Sequence, residues 1–99
     1  MTIPDSFPAT SALASARRTL STEIAALQSL SRRLDASFHQ AVKLVLGCSG
    51  RVVVTGIGKS GHIGRKMAAT LASTGSPAFF MHGVEAIHGD LGMLTPQDI

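Results

Sequence analysis

The sequence predicts an α/β fold, incomplete: N-terminal helices followed by the first βαβ unit of a parallel sheet. Three observations carry the prediction. An apolar stripe at helical spacing runs from Ser11 to Leu46, a β-branched run at Val52-Val53-Val54-Thr55 meets a glycine-rich loop, and a second helical pattern leads into Ala78-Phe79-Phe80-Met81-His82. Strand, glycine loop, helix, strand is the order of a parallel crossover, whose ligand edge lies at the C-terminal ends of its strands.

Residues 1–10, with Pro4 and Pro8, read as a flexible arm, and residues 11–47 as a helical segment. The larger apolar residues there are Leu13, Leu20, Ile24, Leu27, Leu30, Leu34, Phe38, Val42 and Val45, spaced so as to lie on one helical face. One continuous helix of that length would be long for a globular domain. Asp35 is a candidate N-cap that divides it in two, and Gly47 and Gly50 then close the segment.

Residues 48–99 read as the first half of a domain. A buried strand is expected from Arg51 to Thr55 and a helix from Ser60 to Ser73, marked by Ile63, Met67 and Leu71. Thr74-Gly75-Ser76-Pro77 ends that helix, and the second strand follows at once. "GVEAIHGDLGML" reads as a loop with one short helical turn. Two parallel strands do not make a stable doubly wound sheet, so the sequence predicts either a fragment or a strand edge covered by another chain.

The chain of 99 residues is one small domain at most, able to remove about 60–65% of its unfolded surface from water. With 44% apolar residues, no Trp, no Tyr and four Phe, its core must be aliphatic. The net charge of +3 comes from Lys and Arg spread along the chain, which suits a phosphorylated metabolite at least as well as nucleic acid. Arg17-Arg18, Arg32-Arg33 and Arg65-Lys66 lack accompanying aromatic residues and read as solvated helix faces, so no nucleic-acid partner is expected. Cys48 stands alone, excludes an internal disulfide and fits a reducing compartment, with the cytoplasm as the expected location. The N-terminus has neither the basic nor the apolar region of a secretion signal, and no apolar run approaches the ~20 residues of a membrane span.

The glycine loop, Gly56-Ile57-Gly58-Lys59-Ser60-Gly61, fits G-x-G-x-x-G and also ends like a P-loop. A dinucleotide site wants an acid at the end of the second strand, where Met81 and His82 stand, with Glu85 three residues late. A P-loop wants a glycine at the position held by Val53. What remains is the physics the readings share: a tight backbone turn, a helix N-terminus that favours anions, and the full charge of Lys59. The plainer alternative is that the glycines serve the turn alone. A second constellation, His82, Glu85, His88 and Asp90, follows the second strand within nine residues. It suits proton transfer to sugar oxygens; the separation of the histidines is not a standard zinc spacing, and exposed loop histidines are the bland reading. His39 and His62 read as surface residues.

These residues also carry a resemblance. From "VVVTGIGKSGHIGRKMAATLASTG" through "HGDLGM", about half of the chain is similar to the opening of the sugar isomerase (SIS) domain in the D-arabinose 5-phosphate isomerases. The resemblance implies a flavodoxin-like parallel sheet and an aldose–ketose isomerase that interconverts D-arabinose 5-phosphate and D-ribulose 5-phosphate for Kdo and lipopolysaccharide synthesis. It places the catalytic lysine on Lys59, a substrate-contacting pair on Gly75 and Ser76 (serine where threonine is usual), and two sugar-facing histidines on His82 and His88. It implies a sugar-phosphate substrate, no required cofactor, inhibitory zinc at His82 and a homotetramer. The phosphate-gripping loop and the catalytic glutamates of the family fall beyond Ile99, and "GVEAI" departs from the usual "PGEAA". Two other readings stand beside it: a non-catalytic sugar-phosphate sensor module, which would want a helix-turn-helix upstream, and a structural or oligomerisation fragment.

Overall fold

The computed structural model describes residues 1–2, 4, 6 and 8–99; the expected arm falls partly on Ile3, Asp5 and Phe7, which lie outside the described residues. The elements are α1 (Ala9–Arg33), α2 (Ala36–Leu46), β1 (Val52–Gly56), α3 (Gly58–Ser73), β2 (Ala78–His82), α4 (Gly83–Ile87) and a 3-10 turn at Asp90–Met93. The chain divides into two compact units, 1–36 and 37–99.

In the first unit α1 begins right after Pro8, so Ala9 and Thr10 belong to the helix rather than to the arm. Arg32 and Arg33 occupy its last turn, where positive charge complements the helix dipole. The helix stops where Leu34 turns extended, at the break expected beside Asp35. Leu13, Leu20, Ile24, Leu27 and Leu30 form the apolar stripe read from the sequence, and all five are exposed.

The second unit is built on β1 and β2, which pair in parallel with Val52 opposite Ala78 and Gly56 opposite His82. The first strand is shifted by one residue from its expected place, because Gly56 rather than Arg51 completes the ladder. On the other edge of β1, the Ile99 N–H donates to the Arg51 carbonyl at 3.0 Å and the Val53 N–H donates to the Ile99 carbonyl at 2.7 Å. Ile99 therefore sits beside β1 in the hydrogen-bond pattern of a parallel bridge.

Helix α3 covers one face of this pair through small residues. Gly61, Gly64 and Ala68 are its buried positions, whereas Ile63 and Met67, two of the residues that mark the helix in the sequence, are 61% and 53% exposed. A Cβ on Gly64 would lie 3.1 Å from both Phe80 and Val54, so the glycine sets how closely α3 approaches the sheet. Phe38, Val42 and Val45 of α2 face Val52, Val54 and Met67 across an open apolar groove of about 470 Å³.

The segment after β2 holds two short helical pieces, α4 and the 3-10 turn, instead of the single turn expected. Its end is pinned to the start of β1 by one carboxylate, Asp98, whose side chain is only 4% exposed. Asp98 Oδ1 accepts the Arg51 N–H at 2.7 Å, and Oδ2 accepts the Thr95 N–H at 2.8 Å and Arg51 Nη2 at 3.2 Å. Arg51 Nη2 also donates to the Met93 carbonyl at 2.7 Å, and its guanidinium lies over the Phe79 ring.

Candidate functional site

The C-terminal edge of the strands is where the glycine loop and His82 meet. Gly56 and His82 are register partners, so the loop leaving β1 and the imidazole ending β2 emerge side by side. Gly58, at φ 60°, turns the chain from strand into α3 in a conformation that a Cβ would strain, and α3 begins there rather than at Ser60. Lys59, the next residue, is exposed on the first turn of α3, where backbone N–H groups have no partner within the helix. An anion brought to this turn meets both the ammonium and the positive end of the helix.

His82 is half-buried and caps α4: its Nδ1 accepts the Val84 N–H at 3.1 Å. That bond assigns the neutral ring its tautomer, with the proton on Nε2, so the ring offers a donor to a ligand oxygen. His88 is exposed at the other end of α4, displaced along the axis by about 9 Å of helix rise. Glu85 is exposed on α4, and Asp90 opens the 3-10 turn.

Gly75 and Ser76 are not brought to this edge. They lie between α3 and β2, before Ala78 pairs with Val52, and so stand at the opposite, N-terminal end of strands about 17 Å long. There they line a separate pocket of about 150 Å³ with Val45, Cys48, Gly50, Val52 and Pro77. Within one chain, Lys59 and His82 share an edge while the Gly75–Ser76 pair faces away from it.

The family model of the SIS domain matches residues 45–99. This chain belongs to the SIS domain family. In SIS terms, the match takes in the glycine loop, α3 and everything after it, and it starts within α2. The chain is 57% identical over 88 residues to the arabinose 5-phosphate isomerase KpsF of Escherichia coli, covering 88% of this chain and 27% of that protein. It is 60% identical over 84 residues to a probable arabinose 5-phosphate isomerase of Haemophilus influenzae, covering 85% of this chain and 25% of the relative. Among solved structures it superposes on the E. coli CFT073 protein c3406, in complex with arabinose 5-phosphate, with TM-score 0.88 and 41% identity, over 94% of this chain and 50% of that one. The chain thus spans about a quarter of the length of these curated relatives and half of the solved one.

Zinc at His82 fits this SIS chain poorly. Among the described residues no three His, Cys, Asp or Glu side chains gather to hold a metal. His82 would be a single ligand, and a metal on Nε2 would displace the proton that the Val84 cap keeps there.

Two residues read as surface from the sequence, and exposed in the structure, also stand at this edge. His62 and Arg65 join Gly58, Gly61, Phe80 and His82 around a pocket of about 260 Å³. The Arg65 guanidinium lies over the Phe80 ring, 4.3 Å from its centroid. Each follows a buried glycine, Gly61 or Gly64, by one position, and that spacing was the available signal.

Proposed function

We propose that this chain supplies part of the active site of an aldose–ketose isomerase that interconverts D-arabinose 5-phosphate and D-ribulose 5-phosphate. The observation that carries the reading is the Gly56–His82 register, which sets Lys59 and the His82 Nε2–H at one sheet edge. The names of the relatives and the ligand of the solved neighbour support the substrate class.

The reaction moves a proton between C1 and C2 of the open-chain sugar through an enediol, so negative charge develops on an oxygen as the C–H bond breaks. Lys59, exposed at a helix N-terminus, is suited to steady that charge; its ammonium acts as a preorganised electrostatic partner rather than as the base. His82 holds a sugar oxygen through Nε2–H. His88 suits proton exchange between oxygens or during ring opening. Glu85 and Asp90 are the nearby carboxylates, and neither is set against Lys59 in an ion pair; the C–H base is assigned to neither. Substrate contacts from Gly75 and Ser76 would be made by a second copy in a homo-oligomer, of which a tetramer is the proposed form. Work in the cytoplasm, on the route to Kdo and lipopolysaccharide and with no required cofactor, belongs to the same proposal.

The test is the conversion of D-arabinose 5-phosphate to the ketose by the chain and by Lys59→Ala, with a metal chelator present. Turnover that disappears in the variant supports the reading. Turnover that the variant keeps overturns the role given to Lys59.

A further inference from the structure

Arg51, half-buried, commits both its main chain and its side chain to residues 93–99. Its N–H donates to Asp98 Oδ1 at 2.7 Å, and its carbonyl accepts the Ile99 N–H at 3.0 Å. Its Nη2 donates to the Met93 carbonyl at 2.7 Å and pairs with Asp98 Oδ2 at 3.2 Å, while the guanidinium lies 4.6 Å from the centre of the Phe79 ring. The ladder to β2 begins one residue later, with Val52 opposite Ala78, so these bonds serve residues 93–99 rather than the pairing of the two strands.

What they hold is the segment that carries His88. From Gly83 the chain returns from the C-terminal edge of the sheet to the start of β1, over a face that presents Val53, Thr55 and Met81. It is fastened at one end by the His82 cap on Val84, and at the other by Arg51 and Asp98. Between the fastenings its backbone bonds close within the segment: the His88 N–H donates to the Val84 carbonyl, that of Gly92 to Gly89 and that of Leu94 to Leu91. Ala86, Leu91 and Leu94 share a cavity of about 290 Å³ with the sheet residues, so apolar packing fixes the middle of the segment only loosely. Helix α4 packs against the 3-10 turn, and Gly89, at φ 129°, joins the two. The place of Met93, set by Arg51, is thereby passed to His88.

We infer that Arg51 is a positioning residue for the isomerase reaction: through the Met93 carbonyl and Asp98 it sets where His88 meets the sugar phosphate. The inference rests on the role proposed for His88 and adds to it a residue at the end of β1 opposite the glycine loop.

The test is a titration of the isotope-labelled chain with D-arabinose 5-phosphate, following the imidazole signals of His82 and His88 by NMR, repeated with Arg51→Gln and Arg51→Lys. In the unsubstituted chain both imidazoles should shift along one saturation curve. In Arg51→Gln the His82 response should persist, with an affinity changed by no more than about fivefold, equivalent to about 1 kcal/mol, while the shift at His88 should be largely lost. Arg51→Lys keeps a charge beside Asp98 but has no planar fork to bond Met93 and Asp98 together, so it should retain part of the His88 shift. Circular dichroism reports whether each variant is folded; if Arg51→Gln is not, Arg51→Lys carries the same comparison with a smaller difference. A His88 shift unchanged in both variants overturns the inference. Parallel loss at His82 and His88 in a folded variant also overturns it, because Arg51 would then support the whole edge and not His88 in particular. Silence of His88 in the unsubstituted chain, whether or not His82 responds, overturns the role proposed for His88 itself, and the inference with it.

Discussion

Gly56 and His82 face each other as the last register pair of β1 and β2, and each begins a different functional segment: the loop to Lys59 and the cap of α4. Two residues 26 positions apart in sequence are thereby fixed to one edge by backbone hydrogen bonds alone. The arrangement needs no side-chain contact, which leaves the Lys59 ammonium and the His82 Nε2–H free for a ligand.

His82 has two roles that substitution can separate. His82→Asn keeps a side-chain acceptor able to cap Val84 N–H but removes the Nε2–H. His82→Ala removes both and should cost about 1 kcal/mol of stability, as lost N-caps do. Denaturant melts should rank Asn above Ala in stability, while sugar-phosphate binding should fall in both. Equal stability of the two variants would show that the cap contributes nothing.

Asp98 should make the fold sensitive to acid. The Thr95 N–H, then the Arg51 N–H and its guanidinium, lower its pKa from 3.8 to about 2 against the opposing effect of burial. Because the folded value is the lower one, the stabilisation is complete above the unfolded value of 3.8 and is lost as pH falls toward about 2. Asp98→Asn should lower the denaturation midpoint at neutral pH and flatten its dependence on pH across that window. Hydrogen exchange at Thr95 should quicken in the same variant.

Gly64 should tolerate no branched side chain. Its Cβ position is 3.1 Å from Phe80 and from Val54, so Gly64→Val must push α3 off the sheet, at a cost of about 1–3 kcal/mol. Urea denaturation of the variant measures this. A value near zero would mean that α3 is not seated through Gly61 and Gly64.

Much of the fold was legible because the signals were local. Val52 to Thr55 is β-branched and bounded by glycines, and Asp35 marks a break that the backbone makes at Leu34. The element ends were less legible: Gly58 starts a helix at positive φ, which residue type permits but does not announce. Ile63 and Met67 announced α3 correctly while lying exposed, off its buried positions, since close approach to the sheet selects glycine and alanine there; Leu71 is half-buried. That displacement also hid His62 and Arg65, whose place beside Phe80 follows only once Gly61 and Gly64 are known to be the contact. The two helical pieces after β2 depend on the His82 cap and on the ties from Arg51 and Asp98, partners that local pattern cannot supply.

The central claim is that the edge shared by Lys59 and His82 receives the sugar phosphate. Calorimetric titration of the chain with D-arabinose 5-phosphate, beside the same titration of Lys59→Ala, tests it most directly. A charge-assisted contact predicts saturable binding that weakens by about tenfold or more in the variant with the fold unchanged. Equal affinity in the two proteins, or no saturable binding to either, would contradict it.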